Sequence, residues 1–229
     1  MKKNKSIILL SGGLDSVVSL ALLLETHNIE LAITFNYGQK ASEKEINAAK
    51  LIAQHYHINH KVIELNWLKE ITHTSLVSDQ ISLPNLEVNN LDNQEMAKKT
   101  AKSVWVPNRN GLFVNIAGCF ADSYNYSDII IGANKEEAVT FIDNGSEFIN
   151  KINLSLEYST NNAPKVIAPL IDKTKSEIIK IAIDKNIPFN LIRSCYKNEE
   201  KHCGACESCN RLKRAIISNN RDDLLKLIF

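Results

Sequence analysis

The sequence predicts an α/β fold: a doubly wound, parallel five-stranded sheet carrying a small C-terminal zinc-binding module. Three observations carry that expectation. Short runs rich in Ile, Leu and Val alternate with stretches of helical period, the pattern of parallel strands joined by right-handed helical crossovers. The first such run passes directly into Ser11-Gly12-Gly13-Leu14-Asp15-Ser16 and then into a helical stretch, a strand–turn–helix order suited to anion binding. Four of the five cysteines crowd into the window from Cys195 to Cys209, near the C-terminus.

Taken in order, Ile7 to Leu10 reads as the first strand and Val17 to Thr26 as the first helix. Leu31 to Phe35 is the second strand. Glu43 to Tyr56 places Ile46, Ala49, Ile52 and Ala53 at helical spacing. Val62 to Leu65 is a third, weaker strand. From His73 to Ser103 the periodicity breaks down around Pro84 and the polar run Asn89-Asn90-Leu91-Asp92-Asn93, so 73–104 is read as a mobile excursion. Leu112 to Tyr124 returns to helix, with Cys119 expected as a buried structural thiol on its apolar face. Asp128 to Gly132 is the fourth strand, Gly145 to Tyr158 a helix, and Val166 to Leu170 the fifth strand. Thr174 to Asn186 is helical, with Ile178, Ile179, Ala182 and Ile183 on one face. Residues 1–192 are thus assigned to the α/β domain, and 193–229 to a cysteine knuckle with a closing helix.

The balance of 27 basic and 26 acidic residues in 229 leaves a net charge of +1. That argues against a grip on a long nucleic acid, which calls for a basic excess. Without a long apolar segment the sequence predicts neither export nor membrane insertion, and a cytoplasmic protein is expected. Clustered cysteines in such a chain point to a metal rather than to disulfides.

The glycine turn carries the first piece of chemistry. Two glycines allow close backbone approach to a bulky anion, and the free amides and dipole of the following helix favour negative charge. Ser11 and Ser16 add hydroxyls. Asp15 would repel a phosphate unless a divalent cation, Mg²⁺ by preference, bridged the two. The turn lacks the Gly-Lys-Ser/Thr ending of a γ-phosphate loop and the GxGxxG dinucleotide signature. The second piece is Cys195, Cys203, Cys206 and Cys209. Two overlapping C-x-x-C steps plus an upstream cysteine suit a closed tetrahedral Zn²⁺ site, and an iron–sulfur cluster is the competing occupant. Arg211, Lys213 and Arg214 lie near enough in sequence to offset the thiolates.

Three weaker clusters fall where strand ends converge: Tyr37-Gly38-Gln39-Lys40 with Glu43 and Glu45, Val106-Pro107-Asn108-Arg109-Asn110-Gly111, and Pro169-Leu170 with Lys173 and Lys175. Arg109 suits a bidentate clamp on a carboxylate or phosphate, though an exposed turn arginine is an equal reading. His55, His57 and His60 straddle a helix end and a strand start, and are read as solvated rather than metal-binding.

The Ser11 loop resembles the S-G-G-x-D-S pyrophosphate loop of ATP-pyrophosphatases, whose sheet is of the adenine nucleotide alpha hydrolase type. Joined to Tyr37-Gly38-Gln39, Val106-Pro107-Asn108-Arg109-Asn110, Pro169-Leu170 with Lys175, Ser194-Cys195-Tyr196 and the cysteines, it resembles the 7-cyano-7-deazaguanine synthase family over nearly the whole chain. The resemblance implies that ATP adenylates 7-carboxy-7-deazaguanine, that ammonia captures the acyl adenylate as an amide, and that a second adenylation leaves the nitrile. It implies ATP contacts from Ser11, Gly12, Gly13, Leu14, Asp15, Ser16, Phe35 and Tyr37. Substrate contacts follow from Gln39, Lys40, Asn108, Arg109, Asn110, Glu136 and Asp143, and catalytic roles for Asp15, Lys175 and Arg109. ATP, Mg²⁺ and Zn²⁺ are the implied cofactors, and a homodimer the expected assembly. Lys40-Ala41 stands where the family often has Arg-His, and Ile142 where its archaeal-type branch has proline. A protein amine in place of ammonia, a tRNA-thiolating pyrophosphatase and a non-enzymatic nucleic-acid binder are the competing readings.

Overall fold

The computed structural model describes residues 3–85, 88, 91 and 94–229. Five parallel strands form one sheet in the order β3-β2-β1-β4-β5: β1 (Asn4–Leu9), β2 (His27–Asn36), β3 (Asn59–Glu64), β4 (Asp128–Ile130) and β5 (Lys165–Ile167). Strand order turns back at β1, which pairs with β2 on one side and with β4 on the other. The loops leaving β1 and β4 therefore diverge and open a crevice at the carboxyl edge of the sheet.

The sheet separates two apolar layers, because neighbouring strand residues point to opposite faces. Ile8, Ala32 and Ile130 face one layer, shared with α1 (Leu14–Leu23), α2 (Ser42–His55) and α8 (Lys175–Asp184). Ile7, Ile33, Ile129 and Val166 face the other, shared with α5 (Arg109–Tyr124) and α7 (Ser146–Ser159). Both faces being covered explains why the strands read as continuous apolar runs. The helices α9 (Glu207–Ser218) and α10 (Asp222–Ile228) place Leu212, Ala215, Ile216, Leu224 and Ile228 in the same layer as α1 and α8. A side-chain and backbone capping box between Thr174 and Glu177 fixes the start of α8. Among the described residues no helix is long and apolar enough to cross a membrane.

Three expectations are corrected. The stretch 73–104 is not without regular structure: α4 (Gln94–Val104) lies within it, and Leu76, Val77, Ala101 and Val104 are buried. Ser75 ties the two ends of that stretch together, its amide and hydroxyl both donating to Ser103 O at 2.8 Å. Much of the polar run around Asn89 lies outside the described residues. Cys119 is exposed rather than buried. The buried stripe of α5 runs through Gly111, Val114, Ala117, Gly118 and Ala121, and Cys119 lies one residue off it, about 100° around the helix. His60 is held rather than solvated, with Nε2 2.8 Å from Thr34 Oγ1.

Candidate active site and cysteine centre

The crevice between the β1 and β4 loops is a cleft of about 320 Å³. On its β1 side, Gly12 adopts φ +79° and packs against α2, where an added Cβ would lie 2.9 Å from Ala48 Cβ. Among the described residues no side chain caps the start of α1 at Gly13, so its first amides remain available to an anion. Ser16 Oγ donates to Gly13 O at 2.9 Å and lies 3.2 Å from Ser11 Oγ, which stiffens the turn. Ser11, Gly13, Leu14, Asp15 and Ser16 all line the cleft, whereas Gly12 supplies the bend behind them.

Asp15 sits where three elements meet. Its Oδ2 accepts from Lys175 Nζ at 2.6 Å and from Asn134 Nδ2 at 3.3 Å, while its Oδ1 is buried without a hydrogen-bond partner among the described residues. Burial works against the Lys175 ammonium, but Asp15 and Glu137 outweigh it and push its pKa up, so the lysine stays charged. A carboxylate with one buried oxygen unpartnered is a donor suited to a divalent cation.

Arg109 begins α5 instead of lying in a turn, and reaches into the cleft with Nη1 3.4 Å from Tyr37 Oη. Asn108 makes the entry to that helix possible by adopting the left-handed conformation, φ 48°. Asn110 also lines the cleft and donates to Asp143 O at 3.2 Å, so Asp143 supports the wall from behind. Phe35 stacks on Phe113 at 3.9 Å between centroids, an apolar wall beside Tyr37. Gln39 is buried, with its amide fully engaged by Tyr37 N, Phe35 O and Glu45. Lys40 is not among the described residues that line the cleft, and its Nζ donates to Ile81 O at 2.8 Å. Glu136 accepts from Lys175 N at 2.7 Å and from Arg214 Nη2 at 3.1 Å.

The four cysteine sulfurs lie within 4.8 Å of one another. A tetrahedral ion at about 2.3 Å from each sulfur would set them about 3.8 Å apart, and Cys203 and Cys209 stand at 3.9 Å. Backbone amides of Lys197 and Cys203 point at Cys195 Sγ, and that of Cys206 at Cys203 Sγ. A single small cation fits this set, whereas a cluster interposes several atoms and would spread the sulfurs. The nearby cations are otherwise engaged: Arg211 pairs with Glu207, and Lys213 donates to Gly204 O.

Two residues escaped the sequence reading. Gly132, after β4, lies so close to the loop that an added Cβ would meet Ser16 N at 2.8 Å. A glycine closing a strand at the point of reversal was the available signal. Arg193 donates its amide to Gly12 O at 2.8 Å and its guanidinium to Lys197 O, Glu199 O and Glu200 O. It thereby welds the cysteine knuckle to the glycine turn, and no local pattern announces it.

The family comparisons make the molecule an enzyme of the ATP-pyrophosphatase class, and a parallel sheet with the glycine turn at its reversal point and an acid–lysine pair beside it accords with that. More narrowly, the chain belongs to the family described as queuosine biosynthesis protein QueC, whose model matches residues 5–220. It is 50% identical over 211 residues to the 7-cyano-7-deazaguanine synthase of Pelotomaculum thermopropionicum, covering 92% of this chain and 96% of that one. The protein of the same name from Methanosarcina barkeri is 45% identical over 214 residues, covering 92% and 93%. That from Bdellovibrio bacteriovorus is 45% identical over 224 residues, covering 97% of each.

Proposed function

We propose that this chain is a 7-cyano-7-deazaguanine synthase, an ATP-dependent ligase that converts 7-carboxy-7-deazaguanine and ammonia, through an amide, to the nitrile. The supporting observation is that one cleft holds both halves of the required chemistry: the Ser11–Ser16 anion turn on one wall and Arg109 on another. Relatives carrying that activity in their names, at this identity and coverage, favour it over tRNA thiolation and over simple nucleic-acid binding.

A carboxylate is a poor electrophile, and adenylation gives it a leaving group. The turn amides and Ser11 would receive the departing pyrophosphate, and Lys175 would balance the charge that builds on the phosphates. Asp15 would hold Mg²⁺, which supplies Lewis-acid stabilisation of those same oxygens. Arg109, opposite the turn, would orient the substrate carboxylate. Phe35 and Tyr37 offer a flat wall for a purine ring. Cys195, Cys203, Cys206 and Cys209 would hold Zn²⁺ with no open position, so its contribution is structural.

Mass spectrometry of a reaction containing ATP, Mg²⁺, 7-carboxy-7-deazaguanine and ammonium tests the reading. The expected products are the free nitrile, AMP and pyrophosphate. A mass-shifted protein with no free nitrile would instead assign a protein amine as acceptor, and no ATP cleavage would overturn the proposal.

A further inference from the structure

We propose that Glu137 is the proton acceptor for the nitrogen chemistry in this cleft, an inference that rests on the synthase reading above. Each bond made to nitrogen in that reaction releases a proton. When ammonia attacks the acyl adenylate, a C–N bond forms, the C–O bond to AMP breaks, and an N–H proton must leave. When the amide oxygen has been adenylated, the second C–O bond breaks as the nitrile forms, and the remaining N–H protons depart. A base facing the reacting carbon is needed for both.

The candidates among the described cleft residues are few. No histidine lines it, and Lys175 and Arg109 are cations. Five carboxylates remain: Asp15, Glu45, Glu136, Glu137 and Glu207. Four are committed by hydrogen bonds, Asp15 to Lys175, Glu45 to Gln39, Glu136 to Lys175 N, and Glu207 to Arg211. Glu137 differs. Its carboxylate is ion-paired with Lys175 Nζ at 3.6 Å, longer than a hydrogen bond, and its side chain is 38% exposed, so a proton received there has a way out to water.

Its placement is fixed all the same. Glu137 N donates to Asn134 Oδ1 at 3.0 Å, and the Nδ2 of that fully buried asparagine reaches Asp15. One side chain thus sets both the acid of the glycine turn and the backbone of Glu137. Glu137 lines the same cleft as Lys175 and Arg109.

Glu137→Gln and Glu137→Asp test the assignment, with ATP–pyrophosphate exchange reporting adenylation and mass spectrometry reporting amide and nitrile. The glutamine variant is expected to keep substrate-dependent exchange within about 3-fold of wild type while nitrile formation falls about 10²- to 10³-fold. The aspartate variant should recover part of the loss. Nitrile formation at the wild-type rate in Glu137→Gln, or exchange falling as far as nitrile formation, would overturn the role of Glu137. Wild-type protein that supports exchange but no nitrile would overturn the synthase reading and this inference with it.

Discussion

Lys175 Nζ donates a hydrogen bond to Asp15 Oδ2 at 2.6 Å, joining the first turn of α8 to the first turn of α1 across 160 residues of sequence. The pair lies at the mouth of the glycine turn, and both side chains are largely shielded from water. Charge on Asp15 is what the proposed cation needs, while its oxygen is also what holds the lysine in place.

Asp15→Asn separates these two duties, because the amide oxygen still accepts from Lys175 but carries no charge. Pyrophosphate release is expected to fall about 10³-fold, with melting temperature within about 4 °C of wild type, the equivalent of ~1 kcal/mol. Normal turnover in this variant would remove the cation-bridge argument.

Gly132→Ala should disturb the turn from the opposite strand. The new Cβ would sit 2.8 Å from Ser16 N and 3.1 Å from Ser16 Cα, both backbone atoms that cannot rotate aside. A cost of about 1–3 kcal/mol is expected from overpacking, with pyrophosphate release reduced as the start of α1 shifts. Gly145→Ala is the control, since its Cβ would find Ile142 O at 3.6 Å and nothing nearer. Equal melting of the two variants would contradict the close approach.

Cys206→Ser should lose bound metal and stability together. Elemental analysis is expected to fall from one zinc per chain to none, and the melting temperature by about 10 °C, equivalent to ~3 kcal/mol for a chain of this size. Arg193 makes the loss spread, because its guanidinium holds the knuckle backbone and its amide holds Gly12. One zinc per chain and unchanged melting in the serine variant would refute the centre.

Glu45 provides a pH test. Burial raises its carboxyl above the ordinary 4.5, against the help of Gln39 and Arg109. A raised folded pKa means that ionisation costs stability, so the group favours the fold at pH below 4.5 and that benefit is lost as pH rises through the folded value. Glu45→Gln is therefore expected to melt higher than wild type at pH 7, and the gap to close by pH 4. A gap that widens toward acid would reverse the sign of the argument.

Much of this architecture was legible in one dimension. Parallel strands buried on both faces leave unbroken Ile and Val runs, and an anion turn needs glycines, hydroxyls and a helix start in immediate succession. Cysteine spacing works the same way, since a small tetrahedral ion is held by a tight loop. A weak apolar stripe leaves little to read: among the described side chains of α4, Ala101 and Val104 are the buried ones, too few to show a helical period.

The sequence by itself determined the sheet, the glycine turn and the cysteine cluster, because each is encoded by neighbours in the chain. Only the tertiary structure decided that Arg109 joins the cleft lining and Lys40 does not, that Arg193 ties knuckle to turn, and that Glu137 meets Lys175 as a 3.6 Å ion pair while the other cleft carboxylates are hydrogen-bonded. Those outcomes depend on which side chains packing brings within hydrogen-bond distance across long separations, and short-range spacing carries no record of that.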